Sequence, residues 1–138
     1  MMQLVEEKMS DEFRKYHLKG LPFDAVIHEF VAVDKGDAHD HPFTFRTHIL
    51  YGSYVEMSYF INPDGSWYPR SFHRQEGDSF IVGADCIHRI IELPEGACYT
   101  MIRPMEWNKE PCFYRFTDNG VLYRQWNESE FIPYKEFV

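Results

Sequence analysis

Residues 36–52 read GDAHDHPFTFRTHILYG, and this stretch decides how the chain is to be folded. Two histidines, His39 and His41, stand two residues apart at the head of a run that reads as a β-strand. Side chains i and i+2 of a strand project from the same face, so the two imidazoles point the same way, as two ligands of one metal ion must. If they face inward, Phe43, Phe45, Thr47 and Ile49 face inward with them, and Thr44, Arg46, His48 and Leu50 face outward. A third histidine, His88, lies 47 residues further on in a second strand-like run, CIHRIIEL. Three imidazoles from two strands are a donor set suited to a divalent metal.

Outward from this stretch the period of two persists. FDAVIHEFVAV, residues 23–33, alternates Val26, His28 and Phe30 against Ile27, Glu29 and Val31. After Tyr51-Gly52-Ser53 a hairpin is expected to return through YVEMSYFI, and NPDGS at 62–66 is a strong turn signal. WYPRSFH, SFIVG, CIHRIIEL and ACYTMIRP follow, then a hairpin around Asp118-Asn119-Gly120 and a terminal edge segment, FIPYKEFV. Short strands every 8 to 12 residues, with turns between them, indicate a β-sandwich or barrel. The exception is the beginning. Leu4, Val5, Met9, Phe13 and Tyr16 fall near helical spacing, so residues 3–18 are expected to form a helix, ended by Gly20 and Pro22.

The totals bound the rest. At 138 residues one domain is expected, with 44% hydrophobic, 26% charged and 17% aromatic residues. A formal net charge of −8 argues against general nucleic-acid binding, which needs basic patches. Cys86, Cys98 and Cys112 form no CxxC pair and are expected to be free thiols, as in a reducing cytoplasm. The acidic, polar start does not read as a signal peptide, and no stretch approaches the ~18 apolar residues of a membrane helix.

The order of these features resembles the cupin superfamily, whose first motif is G-x5-H-x-H, then a glutamate after three or four residues and a glycine after six more. Its second is G-x5-P-x-G-x2-H-x3-N. Here His39-Asp40-His41 supplies the H-x-H, Gly52 the closing glycine, Gly77 the opening of the second motif and His88 its histidine. Phe45 stands at the glutamate position, and Gly83, Asp85 and Glu92 replace the proline, glycine and asparagine. The resemblance implies an all-β, cupin-like jelly-roll barrel (a double-stranded β-helix). Residues 1–22 would form an N-terminal helical segment and 23–138 the barrel.

It also implies a metal held by His39, His41 and His88, with iron foremost and zinc, nickel or manganese as alternatives. The activity expected is that of a mononuclear metal enzyme of the non-haem iron dioxygenase or hydroxylase type, acting on a small molecule. A non-catalytic small-molecule or sugar-binding module is the alternative. A sugar isomerase or epimerase would need an acid/base pair, for which Glu56, Glu92, Tyr54 and His73 are the candidates. A homodimer in the cytoplasm completes the expectation.

Overall fold

The computed structural model describes residues 2–11 and 13–134; residues 1, 12 and 135–138, with the end of the expected terminal edge segment, lie outside them. The described chain is all β. Its strands are β1 (Gln3–Lys8), β2 (Phe13–Lys19), β3 (Ala25–Phe30), β4 (Ala38–His39), β5 (Phe43–Ile61), β6 (Trp67–Gln75), β7 (Ser79–Val82), β8 (Ile87–Glu92), β9 (Cys98–Trp107), β10 (Cys112–Thr117), β11 (Gly120–Gln125) and β12 (Ile132–Pro133).

The strand β5, 19 residues long, is the spine of the barrel. Its first half pairs antiparallel with β9 and β7, and its second half with β6 and β8. The hairpin expected at residues 51–53 is therefore a bend within one strand that carries the chain from one sheet to the other. Gly52 makes the bend possible. Its φ is +74°, and a Cβ there would lie 2.4 Å from the carbonyl oxygen of Ala97, so the site demands a left-handed backbone and leaves no room for a side chain. One sheet runs β1-β2-β3-β9-β5 and the other β5-β8-β4-β10-β11-β12.

The helix expected over residues 3–18 does not form. That segment is a hairpin, β1 against β2, and β2 continues the sheet by pairing with β3. The same residues satisfy both periods, and tertiary pairing decides between them. β3 would otherwise present an open row of backbone groups, which β2 satisfies. Phe13 stacks on Phe30 at 4.7 Å between ring centroids, and the Tyr16 hydroxyl donates to Glu29. Glu7 and His17 face each other across β1 and β2 at 2.9 Å. β1 itself is exposed along its length.

Inward-facing positions of β5, β8 and β9 form the barrel core. Ile49, Tyr54, Ile90 and Cys98 make one buried cluster, and Phe45, Val82 and Ile102 another. Cys86, Cys98 and Cys112 are free thiols, as expected. No helix of the described residues is long and apolar enough to cross a membrane.

Candidate metal centre

The H-x-H segment is fixed from behind before it presents anything in front. His39 closes β4, opposite His88 of β8 on one side and Phe113 of β10 on the other. The intervening Asp40 points away from the histidines and is 3% exposed. Its carboxylate accepts hydrogen bonds from the Cys112 amide and the Tyr114 hydroxyl, each at 2.7 Å, and pairs with the Lys109 ammonium. The His41 amide donates to the Ala84 carbonyl at 3.0 Å. A buried carboxylate with three donors is stable only in this arrangement, so it holds the dipeptide on either side in register.

In front, His39, His41 and His88 converge. One ring nitrogen from each lies within 4.8 Å of the others. Ring centroids are 5.4 Å apart for His39 and His41, 5.2 Å for His39 and His88, and 4.7 Å for His41 and His88. The Nε2 atom of His41 is buried and has no hydrogen-bond partner in the protein. An orphaned buried nitrogen costs free energy that a metal bond would offset. The donor set, three imidazoles on adjoining strands, suits iron, zinc, nickel or copper. The three residues therefore fit a divalent metal ion.

Charge is arranged unevenly around the three rings. Burial, together with the neighbouring His88, pulls His39 down to about 4, against a ring hydrogen bond to the Asp37 backbone that acts the other way. Burial pulls His41 well below its ordinary value, and His88 and His39 add to the effect. His88 goes the other way. Burial alone would lower it, but hydrogen bonds with Cys86 and Glu56 and the charge of Glu56 outweigh that and push it up to about 9. Its Nδ1 lies 3.0 Å from Oε2 of Glu56, whose other oxygen accepts from Arg74 Nε and Nη2 at 3.2 and 3.1 Å. Burial pushes the Glu56 carboxyl up, yet the partners His88 and Arg74 leave it below the usual range. With Nδ1 engaged, Nε2 of His88 is the nitrogen left for a metal, the arrangement by which a carboxylate orients a ligating imidazole.

The three histidines open on an apolar cavity of about 750 Å³. Phe45 meets His41 edge to face at 5.0 Å, and Phe43 packs on Phe45 at 6.1 Å. An apolar ring thus occupies the position where the motif has a carboxylate. Of the other residues singled out in the sequence, Tyr54 lines the cavity. His73 and Glu92 are exposed and lie away from it, and His48 faces outward opposite Met101 and Ser79. Three contributors carry no mark in the sequence, and a fourth, Glu56, stands there only as an acid/base candidate. Glu56 and Arg74 support His88, Asp40 anchors the H-x-H, and His28, which the sequence gives no special mark, lines the cavity from β3.

This architecture is the cupin fold. The comparisons with solved structures agree. Hydroxypropylphosphonic acid epoxidase from S. wedmorenis superposes with a TM-score of 0.57 at 14% identity, over 75% of this chain and 56% of that one. The Drosophila melanogaster CENP-C cupin domain gives 0.56 at 10% identity, over 75% and 76%. The polyketide cyclase RemF from Streptomyces resistomycificus gives 0.52 at 18% identity, over 94% and 82%. The chain spans little more than half the length of the epoxidase. No family model matches the sequence, and no curated protein matches it. At these identities the likeness establishes the fold, and function rests on the site.

Proposed function

We propose that the protein is a mononuclear metal-dependent enzyme of the non-haem iron dioxygenase or hydroxylase type, acting on a small, largely apolar molecule held in the barrel. The observation that carries this reading is the buried, unpartnered Nε2 of His41, on a ring with one nitrogen within 4.8 Å of two further imidazoles at the wall of the cavity. Iron(II) bound there would supply Lewis acidity and oxygen activation. His39 and His41 stand ready as neutral donors, while Glu56 holds the Nδ1 proton of His88 and so aims its Nε2. Phe43 and Phe45 keep water from the same wall. Because Phe45 replaces a carboxylate, all three donors are neutral and the full charge of the ion would be left to attract an anionic, chelating group of the substrate. That an epoxidase shares the fold is consistent with oxygen chemistry at the level of analogy only.

The experiment is anaerobic reconstitution with iron(II), followed by oxygen uptake in the presence of small apolar compounds that carry two adjacent oxygens. Substrate-dependent uptake is expected. Metal bound stoichiometrically with no uptake for any compound would overturn the oxygenase reading in favour of the second one, a non-catalytic binding module, which Phe45 at the carboxylate position favours. The proposal includes a homodimer paired along β1, whose backbone edge is exposed; light scattering of the purified protein tests it.

A further inference from the structure

Two residues of the cavity lining carry a buried polar atom without a partner in the protein, Oγ1 of Thr47 and Oγ1 of Thr100. The residues are 2% and 1% exposed, and both line the cavity. Thr47 on β5 opposes Ile102 on β9, and Thr100 opposes Ile49, so the threonines are diagonal neighbours on one face of the sheet, roughly 7 Å apart. His28 on β3 directly opposes Thr100 and lines the same cavity. Its ring is held edge-on to Phe13 at 4.9 Å and to Phe30 at 5.8 Å. The three residues make one polar stripe on a largely apolar part of the lining. A valine has the shape of threonine without an oxygen to leave unsatisfied, so the hydroxyls cost stability unless something in the cavity uses them.

We propose that Thr47, Thr100 and His28 form a second contact region of the cavity, which binds a neutral oxygen, hydroxyl or carbonyl, of a ligand whose other end reaches the three histidines. The inference rests on reading the cavity as a substrate site, and it names the class of substrate. Two hydroxyls can each donate and accept, and burial keeps His28 neutral by drawing it down to about 3, so the stripe offers both kinds of hydrogen bond and no full charge. The lining cation nearest in register, Lys15, has its ammonium 5.7 Å from the Phe13 ring centroid, and Asp34 and Asp37 share that lining. Lys15 directly opposes His28, so an anion there would meet its ammonium, but at Thr47 and Thr100 a carboxylate or phosphate would be buried beside hydroxyls alone. Between stripe and histidines the surface is the Phe45, Val82 and Ile102 cluster. The ligand is accordingly an apolar ring or chain with a chelating group at one end and a neutral oxygen at the other.

The test titrates benzyl alcohol and toluene into metal-free and zinc-loaded protein, for the wild type and for Thr47→Val/Thr100→Val. Removing the hydroxyls is expected to weaken benzyl alcohol by about fivefold or more, the worth of one or two hydrogen bonds, and to leave toluene unchanged or tighter. The ligand-free double variant is expected to melt at the same temperature or higher. The proposal is overturned if benzyl alcohol does not bind, if both compounds shift together, or if the variant melts lower, which would show the hydroxyls to be structural. Zinc uptake is read separately. The selective loss without zinc uptake upholds the stripe and removes the metal reading; zinc uptake without the selective loss does the reverse.

Discussion

Nδ1 of His88 lies 3.0 Å from Oε2 of Glu56, a carboxylate 2% exposed and braced on its other oxygen by Arg74. This contact links the second half of β5 to β8 and sets the direction of the third imidazole. Glu56→Gln keeps the shape and removes the charge. Metal affinity is expected to fall by roughly 10- to 100-fold, while the fold is retained. Competition with a chromophoric chelator reads the affinity, and circular dichroism reads the fold.

The same contact gives metal binding a pH dependence of known sign. His39 and His41 are neutral at neutral pH, with His39 drawn to about 4, whereas His88 holds a proton up to about 9. A metal must displace that one proton. Affinity is expected to rise about tenfold per pH unit between pH ~6.5 and ~9 and then to level off. Calorimetry in two buffers of different ionisation enthalpy should show close to one proton released per metal at pH 7.5. Release of none would mean that His88 is already neutral.

Stability of the metal-free protein should peak near pH 6.5. The value for His88 in the folded state, about 9, lies above its ordinary 6.5. Its contribution, roughly 3 kcal/mol at most, is complete below about 6.5 and is lost as the pH rises to 9. His39 and His28 are depressed, to about 4 and about 3, so their contributions are complete above 6.5 and are lost as the pH falls. Denaturant midpoints measured from pH 4 to 9.5 trace this maximum. A midpoint that keeps rising above pH 7 would remove the His88–Glu56 ion pair from the account.

Asp40 anchors the H-x-H segment from the side away from the site, through Cys112, Tyr114 and Lys109. Asp40→Ala leaves the Lys109 ammonium and a buried amide without their acceptor, at a cost of about 3 kcal/mol. Urea denaturation measures it. Weaker metal binding in the surviving folded fraction is expected as well, since both flanking histidines lose their register.

Gly52→Ala tests the bend of β5. The added Cβ would stand 2.4 Å from a backbone oxygen, at a φ of +74°. A loss of about 2 kcal/mol or more in stability is expected, read as a lower denaturant midpoint. An unchanged midpoint would show that the strand reroutes.

How much of this was legible in the residues alone follows from distance along the chain. The H-x-H spacing and the spacing from Gly77 to His88 reproduce a motif, so the three histidines and the barrel could be read directly, although His39 ends β4 and His41 lies in the link before β5 rather than on the one strand expected to carry both. Glu56 could not. It lies among Tyr54, Ser58 and other inward positions of β5, and only the pairing of β5 with β8 brings it to His88. Arg74 and Asp40 depend in the same way on β6 and β10, and His28 and Thr100 on the pairing of β3 with β9. The N-terminal hairpin was missed for the same reason. Residues 3–18 satisfy a helical and a strand period alike, and the open edge of β3 makes the choice.

The metal is the centre of the account, and metal content tests it most directly. Protein purified without a histidine tag would be assayed by elemental analysis beside His41→Ala, both shown folded by circular dichroism. About one divalent transition metal ion per chain in the wild type, and little in the variant, is the predicted result. A folded wild type that binds no metal even after reconstitution, or a His41→Ala protein that stays fully loaded, would contradict it.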